Sequence, residues 1–102
     1  MAVKIMIKRK FKERNIKEIS KLIRNARMVA MEFPGYIASE TMWDHDDPTR
    51  FVVASMWQTL DDWNKYKNSK KRKAAQEKFR DMLTGPVEYE HYVLGIYPHE
   101  EP

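Results

Sequence analysis

The sequence predicts an α+β fold: one antiparallel sheet with its helices gathered on one side. Three observations carry this. Four short runs are rich in β-branched and aromatic residues, two longer stretches repeat apolar residues every three or four positions, and the elements alternate as β-α-β-β-α-β. The centre of the chain, Phe51 to Phe79, shows the pattern most clearly. An apolar run ending in Trp57 meets a break at Gln58-Thr59, and a two-part helix then returns with Leu60, Trp63 and Tyr66 on one face.

Taken in order, Val3 to Phe11 alternates, with Val3, Ile5 and Ile7 on one face, and reads as the first strand. Asn15 is placed to cap a helix whose inward stripe is Ile16, Ile19, Ile23, Ala26, Ala30 and Phe33. Pro34-Gly35 stops it, because the residue before proline avoids helical geometry and glycine permits the turn. The second strand, Tyr36 to Asp44, places Tyr36, Ala38, Glu40 and Met42 on one face and Ile37, Ser39, Thr41 and Trp43 on the other. His45 to Thr49 is turn chemistry, which makes strands two and three a hairpin.

Thr59 and Asp62 resemble a capping box, with Asp replacing the usual Glu. The pattern restarts at Asn68-Ser69, and the second helical piece presents Arg72, Ala75, Phe79 and Met82 inward. After the stop at Thr84-Gly85-Pro86, Val87 to Tyr97 is the last strand, with Tyr89, His91 and Val93 on one face. This order is the split βαβ, or ferredoxin-like, arrangement. Strands two, three and four carry large apolar groups on both faces, although helices can cover only one. A second copy packing sheet against sheet is therefore expected, giving a homodimer.

A chain of 102 residues makes one domain, taken as residues 1–97, with 98–102 as a loose polar tail. Cysteine is absent, which removes disulfides, thiolate catalysis and Cys-ligated metals, and points to a reduced, cytoplasmic setting. No apolar run is long enough to span a membrane, so no membrane partner is expected. The net charge of +4 permits an anionic ligand without requiring nucleic acid.

The chain resembles the antibiotic-biosynthesis monooxygenase family of dimeric α+β barrels. The resemblance covers Val3 to Tyr97 and rests on Pro34-Gly35-Tyr36, on the strand Phe51 to Trp57, and on Leu60 to Ser69 in the broken helix. It implies a small pocket between sheet and helices in each subunit. It also implies oxidation of a small aromatic or quinol-like substrate by O2 without flavin or metal, so that no cofactor is expected. Quinol-oxidising relatives often carry Glu where this chain has Ser55, His where it has Tyr66, and a further His where it has Lys70-Lys71. A haem-degrading branch uses Asn, Trp and His at positions matched here by Lys8, Tyr66 and Gln76. Without His at Gln76, haem degradation by that route is not expected. These departures also fit a non-catalytic small-molecule-binding protein on the same scaffold.

Within that pocket, Trp57, Trp63 and Tyr89 are expected as walls, Tyr66 and Arg72 as polar groups, with Tyr66 also ranked as catalytic. His91 is the candidate base, as the one histidine inside a predicted strand. Against each stands a plainer reading: an aromatic core, or a structural histidine on an edge strand. Asp44 to Asp47 has metal-ligand residue types but reads as hairpin chemistry, so no metal is expected. The lysines between Lys65 and Lys73 read as a solvated helix face, because the third strand lacks the glycine and alternating aromatics of RNA-binding modules of this topology.

Overall fold

The computed structural model describes residues 1–95 of the chain. Its elements are β1 (Val3–Lys10), α1 (Ile16–Ala30), β2 (Tyr36–Trp43), β3 (Arg50–Trp57), α2 (Leu60–Lys67), α3 (Lys70–Glu77) and β4 (Glu88–Val93), with a 3₁₀ turn at Arg80–Met82. All strand pairings are antiparallel, in the order β2-β3-β1-β4. This is the α+β, ferredoxin-like arrangement, and the helix breaks at Asn68-Ser69 as expected. The expected end of the last strand, at Ile96 and Tyr97, and the polar tail from Pro98 lie outside the described residues.

Each helix starts where a side chain can satisfy an otherwise orphaned backbone N–H. Asn15 accepts from Glu18 N, Thr59 from Asp62 N, and Ser69 from Arg72 N. The Ser69 hydroxyl also donates to Tyr66 O at 2.7 Å, tying the end of α2 to the start of α3. Before β2, Gly35 turns the chain at φ +87°, a conformation that suits glycine, and its α-carbon packs directly against the Asp62 side chain.

The facing of β2 differs from strict alternation. Tyr36 pairs with Trp57 but Ala38 pairs with Met56, so Ile37 sits in a bulge. One extra residue moves Tyr36 to the same face as Ser39, Thr41 and Trp43, where its ring meets Trp57 edge-on at 5.5 Å. Two helix-stripe assignments also change: Ile16 and Leu60, each in the first turn of its helix, are exposed, while Leu22 joins the buried side of α1.

Between sheet and helices the core divides into two clusters. One is built from Val3, Ile5, Ile7, Ala30, Trp57, Trp63 and Tyr66, the other from Phe11, Ile19, Leu22, Phe51 and Phe79. The buried polar residues are Arg9, Ser55 and Arg72. The opposite face of the sheet, which includes Met6, Val52, Ala54 and Met56, has no helix over it among the described residues.

Candidate active site

The alternation that buries Ile5 and Ile7 continues to Arg9, so β1 carries a guanidinium onto the helix-facing side of the sheet. The same face of β3 supplies Val53 and Ser55, and that of β2 supplies Ser39 and Thr41. These side chains are short. Opposite them, α1 presents Ala26 and Ala30, also short, so sheet and helix do not close on each other. The result is a cavity of about 270 Å³ lined by Ile7, Ile23, Val53, the two alanines, the hydroxyls of Ser39, Thr41, Ser55 and Tyr66, and the guanidinium groups of Arg9 and Arg27. Among the described residues, no carboxylate or imidazole contributes to that lining. A larger hollow, about 580 Å³, lies on the outward side of α1 among Glu18, Lys21, Arg24 and Lys78, and is relief on a charged helix surface.

One wall of the cavity is Tyr66, whose ring stacks on Trp57 at 4.9 Å and leans against Trp63 at 5.7 Å. Trp57 donates its indole N–H to Ser55 Oγ at 2.8 Å, which fixes both the indole and the hydroxyl that lines the cavity. Burial pushes the Tyr66 phenol above its usual range, against the opposing pull of Arg72 and Arg9. Near neutral pH it is therefore a neutral group that donates or accepts hydrogen bonds, not a phenolate base.

Two arginines underlie this wall, each only 5% exposed. Arg72 donates to Tyr89 Oη at 2.9 Å and sits 5.5–5.8 Å from the ring centres of Trp63, Tyr66 and Tyr89. Arg9 lies 4.6 Å over the Phe79 ring and donates from Nη2 to Gln76 Oε1 at 2.9 Å. The Nε atoms of both arginines, Gln76 Nε2 and Trp63 Nε1 are buried with no hydrogen-bond partner among the described residues. Burial first, then repulsion from Arg72, lowers Arg9 from the usual guanidinium range to about 10, which still leaves it charged at neutral pH.

Five of the residues singled out from sequence thus come together: Trp57, Trp63, Tyr66, Arg72 and Tyr89 form one contiguous group. Of these, Tyr66 lines the cavity, while Trp57, Trp63, Arg72 and Tyr89 back it. His91 is placed elsewhere. It lies on the helix-facing side of edge strand β4, opposite Ile5, but is exposed and does not line the cavity. The Asp44 to Thr49 turn is closed by its own hydrogen bonds, with Asp44 Oδ1 accepting from Asp46 N and Asp47 N. No group of three potential metal ligands occurs among the described residues.

Sequence reasoning missed Arg9, Arg27, Ser39 and Thr41 as site residues. Arg9 had a readable signal: it is the fourth member of the series Val3, Ile5, Ile7, and the only charged one.

The model of the antibiotic biosynthesis monooxygenase family matches residues 2–78, most of the chain and every cavity-lining position. The chain belongs to this family. Solved structures agree with the fold. A Nitrosomonas europaea protein assigned to the same family superposes with a TM-score of 0.82 at 21% identity, covering 95% of this chain and 92% of its own. SnoaB, a cofactor-independent oxygenase from Streptomyces nogalater, gives 0.81 at 12% identity over 97% and 98% of the two chains. A conserved protein from Methanosarcina mazei gives 0.80 at 15% identity over 90% and 91%. No curated protein sequence matches the chain.

Proposed function

We propose that this monooxygenase-family chain oxidises a small aromatic, quinol-like molecule with O2, without a cofactor, in the cavity beneath α1. The supporting observation is that cavity itself: ring-sized, walled on one side by apolar and aromatic groups, with hydroxyls and a buried cation at its floor. The reaction it suits hydroxylates the quinol ring: one quinol and one dioxygen give one hydroxyquinone and one water. The substrate loses a proton, its carbanion reduces and bonds to O2, and the resulting hydroperoxide loses water. All electrons come from the substrate. What the protein supplies is a dry site, the neutral Tyr66 phenol as a hydrogen-bond donor, and the Arg9 charge to stabilise the oxyanion formed on deprotonation. His91, exposed outside the cavity, has no part in this scheme.

The proposal includes a homodimer formed through the helix-free face of the sheet, where Met42 and Tyr92 are exposed beside Met6, Val52 and Met56. Turnover of a quinol substrate under ¹⁸O2 tests the chemistry. One labelled oxygen in the product and one in water is the expected result. Hydrogen peroxide as the sole oxygen product would reject monooxygenation.

One observation favours a second reading, a ligand-binding protein with no turnover. Among the described residues, no group that acts as a base near neutral pH lines the cavity. Saturable ligand binding without oxygen uptake would select it.

A further inference from the structure

The charge at the bottom of the cavity is unbalanced. Among the described residues, the groups acting electrostatically on Arg9 are Arg72 and the phenols of Tyr89 and Tyr66, with no carboxylate. Neither arginine forms a salt bridge among the described residues, whereas exposed Lys71, Arg80 and Lys65 all do. Burying an unpaired cation is unfavourable, and two close together are more so. A core position that needed only bulk would be better filled by methionine or leucine. The cation is also held in place: Phe79 stacks beneath the Arg9 guanidinium and Gln76 accepts one of its N–H groups. Arg9 Nε and Gln76 Nε2 retain buried N–H donors with no acceptor among the described residues. Arg27 adds a second cation to the lining, and it is exposed. Hydroxyls of Ser39, Thr41 and Ser55 complete a lining that repels no anion.

We propose that this cavity selects a planar organic oxyanion of one or two rings, its charged oxygens received by Arg9 at the floor, and that the missing counter-charge of the core is the ligand itself. The size limit follows from the volume, about 270 Å³, set against the ~150 Å³ that accommodates benzene. Guanidinium is suited to the role because it offers several donors in one plane to two oxygens at once. The inference deepens the proposed function by naming the charge state of the substrate, but binding is measured without turnover, so the two fail separately.

The test compares acid and amide probes of one shape, 2-naphthoate and 2-naphthamide, by calorimetry and by thermal shift at neutral pH. The expected preference of wild type for the acid is about tenfold or more, as for a charge-assisted contact in a desolvated site. Arg9→Gln is expected to erase that preference and Arg9→Lys to retain part of it. Without ligand, Arg9→Met is expected to melt at or above the wild-type temperature while losing the acid-induced shift. Equal binding of acid and amide by wild type overturns the proposal and requires no variant. So does an unchanged acid preference in Arg9→Gln together with a lowered melting temperature in Arg9→Met, the pattern of a purely structural arginine. A titration of 4-nitrophenol across its own ionisation separates the two sources of such an oxyanion. Tightening as the phenol ionises marks a site for ionised ring hydroxyls, and acid binding alone marks a site for carboxylates.

Discussion

Two regions lie side by side on the helix-facing side of the sheet, and they are built on opposite principles. Around Trp57 the side chains are large and the packing is closed: Trp57 and Trp63 are fully buried, and Tyr36, Phe33 and Tyr89 complete edge or tilted contacts at 5.3–5.9 Å. Next to it, from Arg9 to Ala26, the side chains facing each other across the layers are short, and about 270 Å³ is left unfilled by side chains. The aromatic region fixes the architecture, and the neighbouring region keeps room within it. Aromatic residues at helical spacing therefore mark the wall of this site, whereas serines, threonines and alanines facing one another mark its interior.

Breaking the wall should have the largest effect. Trp63→Ala removes a fully buried side chain, and a loss of about 3–5 kcal/mol is expected in urea unfolding. Arg9 should act in the opposite direction. Its pKa in the folded chain, about 10, lies below the ordinary guanidinium range, so the unfolded chain holds the proton more tightly. The destabilisation is then complete below about pH 10 and is relieved as pH rises above it. The stability advantage of Arg9→Met over wild type, on the order of a few kcal/mol, should shrink over that rise. Gly35→Ala sharpens the link between turn and wall. A methyl group there would have to displace the Asp62 side chain and adopt a positive φ, and about 1–3 kcal/mol of stability should be lost. The smallest stability change is expected inside the cavity. Ala26→Leu extends into space that no side chain fills, so stability should move by less than about 1.5 kcal/mol while ligand binding is abolished.

The wall was legible in the sequence and the interior was not. Trp63 and Tyr66 announce themselves through helical spacing, Trp57 through its place at the end of an apolar strand, and Arg72 through its position on an otherwise inward stripe. The cavity depends on what side chains fail to fill, and a list of large residues does not encode that. Ser39 and Thr41 lie on the face assigned to them, but the bulge at Ile37 brings Tyr36 round to join them, and alternation alone does not show it. His91 was assigned the correct face, yet how much of an edge strand is covered is a tertiary property. Leu60 and Ile16 failed for a related reason, since the first turn of a helix can overhang the layer it packs on.

Oxygen uptake by wild type and Ala26→Leu, against a panel of one- and two-ring quinols with metal and flavin excluded, tests the central claim most directly. The predicted result is saturable uptake by wild type that disappears in the filled variant while its melting temperature holds. Uptake that survives in Ala26→Leu would place the chemistry outside this cavity and contradict the account.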